Sequence, residues 1–138
     1  MFSLGKISHN LALFRSNLSG AWGEVFSRPS ARIYGLVGLI LNLLSWLGSI
    51  LLYRSLGNDL TVLHYNIDFG IDLVGHRGQL FINPVLGLSF IILNLALLLF
   101  FVRHKHYKLM SYLLWNSAIT ANIFLLLAAL GVYLINFR

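Results

Sequence analysis

The sequence predicts an all-α integral membrane protein with three transmembrane helices, an N-terminal amphipathic helix in the interface and a short extracytoplasmic segment with strand character. Three observations predict this fold. The chain of 138 residues is 58% hydrophobic and only 10% charged, whereas soluble domains carry about 25% charged residues. Three uncharged stretches contain 21 residues or more, and a transmembrane helix needs about 20. Basic residues cluster at the ends of these stretches, as the positive-inside rule expects.

The net charge of +6 is distributed as in a membrane protein. Residues 1–32 hold four basic and one acidic residue (+3), residues 54–79 two basic and three acidic (−1), and residues 103–108 three basic (+3). This pattern predicts a multi-pass protein of the cell membrane with a cytoplasmic N-terminus and an extracytoplasmic C-terminus. We expect contact with the lipid bilayer and no nucleic-acid partner. Cysteine is absent, which excludes disulfides and thiolate metal sites.

The N-terminal region, residues 1–32, is amphipathic. Apolar residues recur at spacings of three and four, which is the seam of one helical face: Leu4, Ile7, Leu11, Phe14, Leu18, Ala21 and Val25. We expect a helix in the cytoplasmic interface with its basic residues near anionic headgroups. The alternative is a helix packed under the bundle or on a partner. Pro29 ends the pattern.

The membrane domain, residues 33–138, contains spans predicted over residues 33–53, 80–102 and 109–137. The segment 54–79 is predicted outside and the loop 103–108 inside. Pro84 falls in the first turn of the second span, where its missing N–H costs little. His104 and His106 lie among the cations of the basic loop 103–108, which indicates a solvated surface rather than a metal pair.

Small and polar residues within the spans predict how the helices pack. One stripe of the first span is predicted to face the other two spans: Gly35, Gly38, Asn42, Ser45 and Ser49. Three polar residues of the third span are expected to meet Asn42 or Asn94: Asn116, Thr120 and Asn122. Because such contacts contribute only about 1 kcal/mol each in lipid, they fix register more than stability.

The external segment alternates apolar and polar residues from Val62 to Leu73, which favours extended structure. Gly70 fits a turn or bulge, and whether residues 62–82 form a hairpin stays open. One hypothesis is a divalent-cation site, because imidazole and carboxylate groups are suitable ligands for zinc or manganese. The candidate ligands are His64, Asp68, Asp72 and His76. The alternative is that these polar residues form the solvent-exposed face of a strand, whose apolar face from Leu63 to Leu73 covers the bundle or the lipid. The aspartates would then form hydrogen bonds in turns. We expect no bound cofactor.

The run from Leu63 to Gly87 resembles a small bacterial and archaeal membrane domain of unknown function, best known as the N-terminal part of SdpI-type toxin-immunity proteins. In that family an external His-aromatic-Asn is followed by Gly-x-Asp and by a Pro that opens the next span. The matching positions are His64, Tyr65, Asn66, Gly70, Asp72 and Pro84. The resemblance covers roughly residues 33–102 and implies a membrane location and an immunity-like role. Val62 and Leu63 stand where the family often has a Pro.

The sequence favours a non-enzymatic protein. No predicted span carries an ionisable residue, so an intramembrane catalytic pair or proton relay is not expected. Three hypotheses remain. The chain is an interaction, accessory or immunity-like protein that meets another envelope or membrane protein through residues 62–84. It is a transporter or channel subunit that works as a homo-oligomer. Or it is a membrane enzyme or metal-binding protein that uses the external His/Asp cluster.

Overall fold

The computed structural model describes residues 4–57, 60–66, 68 and 70–137. Over these residues the chain forms four helices, two strands and one 3-10 turn. The elements are α1 Leu4–Ser27, α2 Pro29–Ser55, β1 Leu60–Asn66, β2 Gly70–His76, the 3-10 turn Arg77–Phe81, α3 Ile82–Phe101 and α4 Tyr107–Phe137. In this part of the chain, α2, α3 with its preceding turn, and α4 are long and apolar enough to cross a membrane. The predicted fold class is confirmed.

Two prolines mark where helices begin. Arg28 leaves helical geometry, with φ −86° and ψ 123°, and Pro29 is the first residue of α2. Pro suits this position because its fixed φ and missing N–H are both compatible with the first helical turn. The predicted end of the amphipathic pattern at Pro29 is confirmed. Pro84 is the third residue of α3, also as predicted.

The interior of the bundle is polar where α2, α3 and α4 meet. Asn42 Nδ2 donates to Pro84 O at 2.9 Å and to Asn122 Oδ1 at 3.1 Å, and Asn122 Nδ2 donates to Gly87 O at 3.2 Å. A Cβ at Gly87 would lie 2.7 Å from Asn42 Nδ2 and still closer to Asn122 Oδ1. The absence of a side chain at Gly87 therefore lets α3 approach both asparagines. The predicted contact between Asn42 and Asn122 is confirmed.

The packing faces of α2 and α4 follow the helical period. All five residues of the predicted α2 stripe are buried: Gly35, Gly38, Asn42, Ser45 and Ser49. The prediction for Asn116 and Thr120 was wrong, because both side chains are exposed. They lie about 100–200° around α4 from the buried Asn122, and Asn116 donates to Tyr112 O of its own helix at 2.8 Å. Asn94 instead accepts from Ser117 Oγ at 3.3 Å.

The last turns of α1 pack under the bundle. Ala21 and Val25 are buried against Leu98 and Val102, in a cluster that also contains Trp115. This matches the alternative expectation for the end of α1. Other apolar residues of this helix remain exposed: Leu13, Leu18 and Trp22. The side chains of Leu4, Ile7, Leu11 and Phe14 lie outside the described part of the chain.

The bundle therefore has two different ends. The first, called the basic end, holds the start of α2, the loop at 102–106 and the start of α4. The second, called the hairpin end, holds the two strands and the 3-10 turn. Because Ser49 near the end of α2 bonds to Leu80 at 2.9 Å, α3 runs antiparallel to α2, and α4 returns parallel to it.

Candidate functional site: the hairpin end

The segment that connects α2 to α3 contains an antiparallel hairpin. Leu60 lies opposite His76 at its base and Asn66 opposite Gly70 at its tip. Between the strands, Asp68 lies in a turn, and Gly70 has a φ of +77°. Glycine adopts this left-handed region without the Cβ clash that other residues meet. The alternating run from Val62 to Leu73 is therefore two short strands, and Gly70 lies at the turn that its sequence position suggested.

The register of the hairpin is irregular around His64. The pairing shifts between Val62 and His64 and again between His64 and Tyr65. His64 thus lies opposite Leu73, and Tyr65 opposite Ile71. Each shift leaves one residue without a direct partner, which changes the side to which later side chains point. Strict alternation could not anticipate this, because it assumes one unbroken strand.

The candidate metal ligands occupy different parts of the hairpin. His64 lies in the middle of β1, Asp68 in the turn and His76 at the end of β2, and all three are exposed. His76 pairs with Leu60, so it is displaced from His64 by about four residues or ~13 Å along the strands. Asp72 lies in β2, with its side chain outside the described part. Among described residues, no group of three His, Asp or Glu side chains is placed to hold a metal ion.

An amide from α4 clamps the first strand. The Val62 N–H donates to Asn136 Oδ1 at 3.2 Å, and Asn136 Nδ2 donates to Val62 O at 2.8 Å. One side chain therefore bonds both backbone groups of a strand residue, as a neighbouring strand would. No sequence pattern singled out Asn136. Its only sequence signal is an amide in the last turn of an apolar helix.

The 3-10 turn is fastened to the end of α2. The Arg77 guanidinium lies 4.5 Å above the Tyr53 ring, and Arg77 Nη1 donates to Leu56 O at 3.3 Å. The Phe81 ring lies 5.5 Å from the Tyr53 ring. Together with the bond from Ser49 to Leu80, these contacts fix the chain where it leaves the hairpin and enters α3.

Apolar side chains fill the space between the hairpin and the bundle. Leu52, Leu80 and Val132 are buried together, and Leu63 of β1 packs against them. A Cβ at Gly75 would lie 2.6 Å from Leu63 Cδ1 and still closer to Gln79 Oε1, so both side chains would have to shift to admit a larger residue. The hairpin is therefore held on the bundle by hydrogen bonds at both strand bases and by a small apolar core.

The rest of the hairpin presents apolar side chains outward. The exposed fractions are 64% for Leu60, 55% for Ile71, 52% for Leu73 and 51% for Val74. These four residues are called the exposed apolar strip below. Leu63 covers the bundle as the sequence suggested, but Ile71 and Leu73 do not. Leu73 and Val74 are consecutive in β2, so their side chains lie on opposite faces of the hairpin. Large apolar residues exposed on a surface indicate contact with another molecule.

Comparison with protein-family models, with curated proteins and with solved structures found no match to this chain. The resemblance to the SdpI-type domain therefore stays a prediction. The structure groups most of its motif positions around the hairpin tip, since Tyr65 and Asn66 pair with Ile71 and Gly70. Pro84 is apart from them and buried in the bundle. The side chains of Tyr65, Asn66 and Asp72 lie outside the described part.

Proposed function

We propose that this chain is a non-enzymatic interaction protein of the cell membrane, and that its hairpin binds another membrane or envelope protein. The observation that carries this proposal is the exposed apolar strip on a hairpin that Asn136 and Arg77 brace. An immunity-like protein, as the sequence resemblance implies, is one form of this function. In that form the hairpin contacts the membrane-acting toxin.

The hairpin has the composition of a small interface. Exposed apolar residues of β2 are accompanied by exposed His64, Asp68 and His76, and interfaces combine apolar with polar side chains. Bracing also favours binding. A surface that is already ordered loses less conformational entropy when a partner docks.

The proposed orientation puts the hairpin outside and the basic end in the cytoplasm. It rests on the charges. Arg103, Lys105 and Lys108 lie together at the basic end, and positive residues are retained on the cytoplasmic side. The exposed apolar residues of α1 then lie at the inner interface, where an amphipathic helix is stable. Single-cysteine labelling at Lys105 and at His64 tests this assignment, since the chain has no cysteine of its own.

A photo-crosslinking experiment tests the interaction. A photoreactive residue replaces Leu73 on the hairpin or, as the control, Leu93 on α3, which is 58% exposed on a spanning helix. We expect the Leu73 position to crosslink a second polypeptide in native membranes and the Leu93 position to crosslink mainly lipid. Equal protein crosslinking from both positions would show that the hairpin is not a specific surface.

A matched pair of double variants separates the hairpin from general apolar contact. Ile71→Ala with Leu73→Ala should reduce the affinity for the partner, measured by co-purification in mild detergent, by about thirtyfold, because two interface anchors of about 1 kcal/mol each are lost. Ile92→Ala with Leu93→Ala removes the same side-chain atoms from α3 and should leave recovery unchanged. Full recovery with the hairpin variant would refute the proposal.

A further inference from the structure

We propose that the basic end of the bundle contains a binding site for a phosphate group, in a pocket between the first turns of α2 and α4. The pocket has a volume of about 180 Å³ and is lined by Arg28, Ser30, Lys108, Ser111 and Tyr112. It lies at the opposite end from the hairpin. The site is therefore independent of the proposed interaction surface.

Two helix N-termini meet at this pocket. Since α2 begins at Pro29 and α4 at Tyr107 and the two run parallel, their positive dipole ends lie side by side. The amides of a first helical turn have no carbonyl partner within the helix. The side chain of Arg28, the residue that precedes α2, accepts no hydrogen bond from these amides, since a guanidinium carries only donors. Such amides bind phosphate oxygens in many proteins.

A second observation, independent of the dipoles, is a pair of hydroxyls. Ser111 lines the pocket with only 9% of its surface exposed. Its hydroxyl is close to that of Tyr107, one turn earlier, yet the Tyr107 hydroxyl is buried without a hydrogen bond of normal geometry to any described residue. Buried hydroxyls are normally satisfied. Tyr107 does not line the pocket, but Ser111 does, and the Ser111 hydroxyl retains donor capacity that a ligand oxygen in the pocket can use.

The charges at the pocket favour an anion. Arg28 lines the pocket, and its guanidinium is held 4.6 Å above the Tyr107 ring. Lys108 supplies a second cation. The residues that line the pocket include these two cations and no carboxylate, so the charge of the lining is positive. Arginine and lysine are the usual cationic partners of phosphate.

The phosphate can belong to a phospholipid headgroup or to a soluble ion. Both sources present the same oxygens to the same donors. The position favours a lipid, because the pocket lies at the ends of two helices that are apolar enough to span a membrane, at the depth where headgroups are found. Tyr112, which lines the pocket, is also typical of this depth.

Native mass spectrometry of the full chain in a neutral detergent tests the proposal. The probes are phosphatidylglycerol, diacylglycerol with the same acyl chains, and inorganic phosphate. Lys108→Gln and Ser111→Ala alter the pocket. Lys105→Gln and Ser89→Ala make the same chemical changes outside it. Circular dichroism confirms that each variant is folded, and if Lys108→Gln does not fold, the uncharged change at Ser111 decides.

We expect the chain to retain phosphatidylglycerol but not diacylglycerol. Affinity should fall about tenfold in each pocket variant, the loss typical of one hydrogen bond to a charged group, and less than about twofold in each control. Displacement by inorganic phosphate alone would identify a soluble ligand for the same site. Equal binding by wild type and Ser111→Ala, or equal losses at Lys105 and Lys108, would overturn the proposal and indicate a general basic surface.

Discussion

The two ends of the bundle differ in which groups are satisfied and which remain exposed where the helices end at the membrane surface. At the hairpin end, side chains satisfy the backbone, as Asn136 does for Val62 and Arg77 for Leu56. At the basic end, an apolar cluster around Trp115 closes the bundle while cations and hydroxyls stay open above it. The first arrangement leaves apolar side chains outward and suits a protein partner. The second leaves donors outward and suits an anion.

A substitution in the middle of the bundle, between the two ends, should cause the largest loss of stability. Gly87→Ala forces a Cβ against Asn42 and Asn122, so we expect a loss of about 2–3 kcal/mol in the free energy of unfolding. Gly48→Ala is the control, because nothing lies within 4 Å of a Cβ there. Unfolding in mixed micelles measures both. Equal stability of the two variants would show that α3 does not approach the asparagines this closely.

Removing the amide clamp should loosen the hairpin end and leave the basic end intact. In Asn136→Ala both backbone groups of Val62 lose a partner, at a cost of about 1–2 kcal/mol. Hydrogen exchange at residues 60–66 should accelerate about tenfold. Asn116→Ala is the matched control, because Asn116 is exposed on the same helix and bonds only within it. Faster hydrogen exchange at both ends of the bundle in Asn136→Ala would mean that the stabilities of the two ends are not independent.

A change at the hairpin turn should be smaller and more local. Gly70→Ala puts a Cβ on a residue with a φ of +77°, which costs about 1 kcal/mol. Gly78→Ala, whose φ is ordinary and whose surroundings are open, should have little effect. Thermal unfolding and hydrogen exchange at the strands report the difference. An unchanged hairpin in Gly70→Ala would argue against this turn geometry.

The sequence predicted what depends on periodicity and missed what depends on contacts between distant elements. Uncharged length was enough to place the spans, and the small-residue stripe of α2 was enough to find its packing face. The contact between Asn42 and Asn122 followed because a buried amide in lipid needs a partner. Asn116 was misplaced, because the rotation of α4 is set by packing and not by polarity alone.

At the candidate site, the sequence located the segment but not its geometry. Alternation indicated strands, and Gly70 suggested the turn. The register shifts at His64 could not be predicted, since they depend on how the two strands pair. The clamp by Asn136 could not be predicted either, since Asn136 lies 74 positions from Val62 in the chain. The pocket between Ser30 and Ser111 also requires two helix starts to converge, which no local pattern encodes.

The smallest predicted effect compares the two arginines that stack on tyrosines, one at each end. Arg77 lies over Tyr53 and Arg28 over Tyr107, at 4.5 Å and 4.6 Å. Replacing either with Gln removes a cation–π contact of about 0.5–1 kcal/mol. Arg77→Gln should lower the free energy of unfolding more than Arg28→Gln, since Arg77 also donates to the carbonyl of Leu56. Added phosphate should stabilise the wild type but not Arg28→Gln. Thermal unfolding with and without phosphate separates these outcomes. A larger loss at Arg28 than at Arg77 in the absence of phosphate would reverse the comparison, because the basic end would then depend on its charges for folding rather than for binding.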